Sequence, residues 1–217
     1  MPVEALSGPS ATMPPMSDAT AEDYRWLDVE DAGLIEAYCL TFVRGRTPEA
    51  VLEHLRAEVT GTVVGVEPMH DAAFEVWDVH GGDRLFAGAT AVGDWTVMVE
   101  PNGYLGTFDE VMLPLSADGG RVVSHFRNVD AVDHFHLWDD GVLRLHFEPL
   151  FAVHRDGPDA ETLVPELLAA GFNLDEDGGY EMHTEAAWAL GERLTGVRIT
   201  PETLTGATFL CGVAPAR

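Results

Sequence analysis

A chain of 217 residues, 46% of them hydrophobic, can bury one sizeable core, and 37 acidic against 12 basic residues leave it at net −25. Such a charge repels phosphate backbones and anionic bilayers, so ordinary nucleic-acid and membrane-surface binding are disfavoured. A basic protein is the partner it would attract, unless the acidity serves only to keep the chain in solution. No apolar run reaches the roughly twenty residues of a membrane span, and Met1 to Ala19 lacks the basic and apolar regions of a secretory leader, so a cytoplasmic setting is expected.

Met1 to Thr20 carries Pro9, Pro14 and Pro15 among Ser, Thr and Ala without periodicity. This predicts a flexible tail over 1–22 and a single domain over 23–217, with Tyr24, Trp26 and Leu27 docking the chain onto the core. From Glu30, the spacing of Leu34, Ile35, Tyr38, Phe42 and Val43 predicts an amphipathic helix that contains Cys39 and stops at Gly45. Cys39 and Cys211 lack a C-x-x-C setting and read as small buried hydrophobes. Thr47-Pro48-Glu49 predicts the start of a second helix, with Val51, Leu52 and Leu55 inward. Arg44 and Arg46 stand between the two helices and are expected to hold an internal carboxylate rather than an external anion. Thr60 to Gly82 reads as a variable loop with a short turn of helix or strand.

Five extended segments follow: Leu85 to Ala91, Trp95 to Glu100, Val122 to Asn128, His134 to Trp138 and Val142 to Phe147. Short connections such as Gly93-Asp94 and Asp139-Asp140-Gly141 demand antiparallel hairpins. Phe108, Val111, Met112 and Leu115 predict a helix shortened by Pro114, and Leu163 to Leu168 one that ends at Gly171. Asp175 to Gly179 is an acidic turn without the ligand spacing of a calcium loop. A helix over Thr184 to Leu194, a short helix capped by Thr200 and a closing segment Thr208 to Val213 complete the chain. The predicted fold is α+β: an antiparallel meander sheet of about five strands with helices packed on one face.

Asp94 to Gly106 is the densest stretch, a strand that ends in a turn at Pro101-Asn102-Gly103. Glu100, Asn102 and Tyr104 either belong to that strand and turn alone or line a site at its end. With Arg127, Asn128 and Glu148 at other strand ends and Arg44 nearby, they are the candidate binding residues. His134 and His136 share a strand face, and with His125, His146 and Glu148 they make the inventory of a divalent-metal site. Nine histidines also make such a pair easy to reach by chance. Phosphate-cradling, dinucleotide, nucleophile-elbow and zinc-protease motifs are absent, so no catalytic residue and no cofactor is assigned.

The segments Glu36 to Gly45, Trp95 to Tyr104, Phe126-Arg127-Asn128-Val129, Phe147-Glu148-Pro149-Leu150 and Leu194 to Pro201 are similar to those of an uncharacterised actinobacterial family, a domain of unknown function common in Streptomyces. The resemblance spans roughly Asp23 to Gly212. It implies one domain and an actinobacterial source, which the twelve arginines and absence of lysine also suggest, and it brings no activity. Two readings of function follow. One is a non-enzymatic binding module, such as an immunity-like inhibitor or regulator of a basic protein. The other is a metal-assisted or acid–base enzyme with its site at the sheet edge.

Overall fold

The structure, a computed structural model, describes residues 17–29, 36–176 and 181–216. The expected tail through residue 16, Leu34 and Ile35 of the expected first helix, and residues 177–179 of the acidic turn lie outside the described residues.

After a short helix α1 (Trp26–Val29), the chain enters β1 (Tyr38–Arg44), α2 (Pro48–His54), β2 (Glu58–Val64) and α3 (Glu67–His80). The hairpin β3 (Arg84–Val92) and β4 (Trp95–Pro101) leads through a 3₁₀ turn at Leu105–Thr107 to α4 (Asp109–Ser116). Then come β5 (Arg121–Arg127), β6 (Asp133–Asp139), β7 (Val142–Phe147) and the two-residue β8 (Arg155–Asp156). Helices α5 (Val164–Ala170), α6 (His183–Thr195) and α7 (Pro201–Gly206) precede β9 (Thr208–Pro215).

The strands form one antiparallel sheet of nine in the order β2-β9-β3-β4-β1-β5-β6-β7-β8. The class is α+β as expected, and all five expected strands are present, but nine strands replace about five. The added strands break the simple meander: β1 sits between β4 and β5, and β9 between β2 and β3. Segment Tyr38 to Arg44 is a central strand and not a helix, since a strand flanked by two others and buried on both faces loses its apolar–polar alternation. The region expected to be a loop, Thr60 to Gly82, supplies an edge strand and a fourteen-residue helix.

Helices cover both faces of the sheet, which corrects the expectation of one covered face. On one face Tyr38, Leu40, Phe42, Val97, Val99 and Phe135 pack against α3, α5 and α6. On the other, Val43, Met98, Val122 and Trp138 meet α2 and α4 through Val51, Leu52, Val111 and Met112. A single layer of helices would have left Val43 and Met98 wet, and both are buried.

The expected caps are in place. The Thr47 hydroxyl accepts from the Ala50 amide and that of Thr200 from the Thr203 amide, while Gly171 and Gly196 end α5 and α6 in the left-handed conformation. Tyr24 and Trp26 dock on Trp188 of α6, with ring centroids 5.9 and 5.8 Å away. Ala19 and Ala21 are buried beside them, so residues 17–22, in the segment expected to be tail, lie against the domain.

Candidate functional site

The register separates the candidate binding residues. Arg44 pairs with Trp95 at one end of β1, whereas Tyr38, at the other end, pairs with both Pro101 and Arg127. Those ends lie roughly 20 Å apart, so Arg44 leaves the group. Nor do Arg44 and Arg46 hold the expected carboxylate; among the described residues neither forms an ion pair, and they line an open cleft with Thr47, Asp94 and Trp95.

Most of the remaining candidates do structural work. Glu100 is wholly buried and accepts from the Leu105 amide at 2.8 Å and the Gly106 amide at 3.0 Å, bracing the 3₁₀ turn. Burial outweighs those two bonds and pushes its carboxyl up to about 7. Asn102 occupies the turn at φ 52°, its amide bonded to the Ala37 carbonyl, and Tyr104 packs edge-on against Phe108. The Asn128 side chain accepts from the amides of Asp130 and Val132, shaping the loop into β6. The Glu148 carbonyl accepts from the Phe151 amide in a short 3₁₀ turn. Arg127 alone reaches a polar centre.

The histidines divide between the faces. His136 pairs with Ser124 and His146, on the side of Trp138, while His125 pairs with Leu40 and Phe135 on the opposite side. His136 stacks between Trp138, at 4.8 Å, and His146, at 4.5 Å. His134 touches His146 through ring nitrogens 3.4 Å apart. Among the described residues no group of three or more His, Cys, Asp or Glu could hold a metal ion. This is a stacked imidazole ladder.

Burial, and then the neighbouring imidazoles, hold His136 well below the ordinary histidine value, and His146 is lowered for the same reasons. A folded-state value below the unfolded one gives stability that is present above about pH 6.5 and lost as pH falls below it. His136→Leu should therefore flatten the fall in unfolding midpoint between about pH 6.5 and 5, read by urea titration at several pH values.

On the α6 side, three side chains surround one buried carboxylate. Asp133 is fully enclosed, and among the described residues neither of its oxygens has a hydrogen-bond partner. His125 Nε2 and His183 Nε2 each lie 3.6 Å from Asp133 Oδ2, and Arg127 Nη1 lies 3.9 Å away. The groups are held from behind. Trp188 Nε1 donates to the Tyr38 hydroxyl at 2.6 Å, and that hydroxyl lies 3.0 Å from His125 Nδ1. An indole N–H only donates, so the Tyr38 hydroxyl accepts from Trp188 and keeps its own hydrogen to give to Nδ1, the arrangement in which neutral His125 carries its hydrogen on Nε2, facing Asp133. Burial lowers its pKa and favours that neutral form. Arg127 Nη1 donates to the Thr184 hydroxyl at 2.8 Å and contacts His183 Nε2 at 3.3 Å.

A second surface lies at the free edge of the sheet. Strand β2 pairs only with β9, and Val59 and Val64 are each 59% exposed. Helix α3 packs inward through Met69 and Ala73 and presents Phe74, Trp77 and Val79 to solvent. Glu67, Asp71, Glu75 and Asp78 are exposed on the same helix. Between helix and edge runs a groove of about 320 Å³, with Thr60, Val76, Val79, Phe86 and Val213 in its walls.

Residues 17–217 match the model of a family of unknown function, DUF6461. The chain belongs to the DUF6461 family. No curated protein and no solved structure matches it. The DUF6461 match takes in every described residue, so the Asp133 cluster and the β2 edge both lie within the family region. No helix among the described residues of this DUF6461 chain is long and apolar enough to cross a membrane.

Five members of the cluster in this DUF6461 protein, Tyr38, Asp133, His183, Thr184 and Trp188, were not among the candidates read from sequence. Strand parity could have found Asp133, which shares the inward side of β6 with Phe135 and Leu137. No comparable signal marks His183, which opens α6 after Met182 in the left-handed conformation.

Proposed function

We propose that this protein is a non-enzymatic protein-binding module, an immunity-like inhibitor or regulator, that takes a basic partner on the face formed by α3 and the β2 edge. The observation that carries the reading is the exposure of Phe74, Trp77, Val79, Val59 and Val64 beside the acidic residues of α3. An apolar patch set among charges of one sign fits a surface of opposite sign with apolar residues at its centre. The unpaired edge of β2 adds backbone groups that a partner strand can use.

Charge bookkeeping points the same way. Arg25, Arg84, Arg121, Arg144, Arg155, Arg193 and Arg198 each pair with a carboxylate within the chain, yet 37 acids against 12 bases leave a large acidic surplus. A cytoplasmic setting in an actinobacterium belongs to the same proposal, supported by two unbridged buried cysteines and an all-arginine basic complement.

The test is capture by the full chain from a lysate of its source organism, at low and high salt. The Phe74→Ser/Val79→Ser double variant and an unrelated protein of equal charge serve as controls. The expected result is a basic partner, weakened by salt, lost from the double variant and absent from the charge control, while the variant keeps its stability to within about 1 kcal/mol. A partner retained equally by the double variant would overturn the proposed face.

A further inference from the structure

We infer that the occupant of the β2 edge is an extended segment of a partner, with basic and apolar residues in alternation, that joins the nine-stranded sheet as a further strand beside β2. The inference rests on the proposed protein-binding reading and takes it from a face to a mode of attachment.

The two sides of the edge carry the argument. Gly61 and Val63 lie opposite Cys211 and Phe209, which belong to the core on the α3 side, whereas Thr62 lies opposite Leu210, which packs on the α2 side. Side chains alternate along a strand, so Val64 faces the α2 side, as does Val59 opposite Gly212. The groove walled by Val76 and Val79 is on the α3 side. Apolar surface is therefore open on both faces of one edge. A helix laid on the sheet covers one face only, while a strand alongside β2 sends alternate side chains to each.

The edge is also unguarded where it is regular. Exposed edges are commonly blunted by charge, proline or a bulge. Residues 61–64 of β2 hold neither charge nor proline, and Glu58, the strand's one charged residue, is engaged by Arg84 at 2.9 Å. A bulge interrupts the ladder between Val59 and Gly61, so residues 61–64 are the run open to pairing. Among the described residues no strand lies beyond them.

The surroundings select the side chains. On the α3 side the groove has Val76, Val79, Phe86 and Val213 in its walls and Glu75 beside them, with exposed Asp71 and Asp78 one helical turn to either side. An arginine or lysine fits that arrangement, its stem along the valines and its charged head at the carboxylates. On the α2 side Val59 and Val64 offer apolar contact, which suits apolar residues at the alternate positions. A second copy of this chain would bring another net −25 to the edge and is disfavoured there.

The test is an NMR and hydrogen-exchange titration of the isotope-labelled full chain with a capped peptide of alternating arginine and valine, about eight residues long. Two companion peptides separate the contributions. One is the same peptide N-methylated throughout, which keeps side chains and charge but has no backbone donor; the other alternates glutamate and valine. Saturable shifts at residues 61–64 and at Glu75, with slowed exchange of the β2 amides, are expected for the arginine–valine peptide alone, and Glu75→Lys should weaken its binding about fivefold. Equal binding of the N-methylated peptide, or shifts confined to α3, would overturn strand addition and leave a basic partner on this face standing. Equal binding of the glutamate–valine peptide would overturn the basic chemistry of the occupant and, with it, the reading beneath. No saturable response, or a dimer of the chain alone in sedimentation with its β2 amides already protected, would overturn the assignment, while capture from the lysate still decides the face.

Discussion

Replacing Gly106 by alanine should destabilise the protein by at least about 3 kcal/mol, one of the largest losses a single methyl group can cause here. A Cβ at this position would run into the Thr41 hydroxyl, lie 2.6 Å from Cys39 Sγ and 2.9 Å from Ser124 Oγ. These are short side chains on central strands β1 and β5, all fully buried and joined to one another through Sγ–Oγ and Oγ–Oγ contacts of 3.3 Å. They have no far end to swing aside. Relief would require the 3₁₀ turn to lift, which would break the bond from the Gly106 amide to Glu100. Urea unfolding at neutral pH measures the loss as a lower midpoint with an unchanged slope. Thr41→Ala, by removing the nearest oxygen, should recover part of it in the double variant, a coupling that distant sites do not show.

Glu100→Gln should reverse sign with pH. The folded carboxyl titrates near 7 and the unfolded one near 4.5, so burying the neutral acid gives stability that is complete below about pH 4.5 and lost as pH rises through about 7. The gap corresponds to about 3 kcal/mol between the two limits. Glutamine does not titrate, and its amide cannot accept from both Leu105 and Gly106 as two carboxylate oxygens do. The variant should therefore be the less stable protein at pH 4 and gain on wild type by about 3 kcal/mol by pH 8. The lowered pKa values of His136 and His146 work in the opposite direction, but they are common to both proteins and cancel in the difference. Unfolding midpoints of the pair at three or four pH values decide the matter. A constant difference would show that Glu100 has the same pKa in the folded and the unfolded protein.

Both predictions concern the stretch from Trp95 to Gly106, where the sequence was most legible. The β3–β4 hairpin announces itself through period-two alternation and Gly93-Asp94, and the turn after Pro101 through Asn102-Gly103. What stays hidden has physical causes. Buried on both faces, β1 has no polar side to alternate with, and Tyr38, Phe42 and Val43 fall by chance at helical intervals. The edge strand β2 is exposed along nearly its whole length, so it offers no apolar face to find. Helix α3 buries little beyond Met69 and Ala73 and leaves Phe74 and Trp77 outside, which blurs its stripe. The same two features that concealed these elements make them the candidate binding face.

At the site, chemistry was legible and grouping was not. Arg127 belongs to a polar centre, while Glu100 turned inward as a brace and Arg44 fell at the far end of β1. Residues as distant in sequence as Tyr38 and Trp188 meet only because β1 is central and α6 crosses above it. Pattern reading follows neighbours along the chain, and this contact joins its two halves.

The protein-binding reading is tested most directly by hydrogen exchange on the chain with and without the basic partner recovered by capture. Slowed exchange over Glu58–Val64 and Glu67–His80, with Pro48–His54 and Asp109–Ser116 unchanged, is the predicted result. Protection confined to α2 and α4, or none at the β2 edge, would contradict it and place the binding surface elsewhere on the molecule.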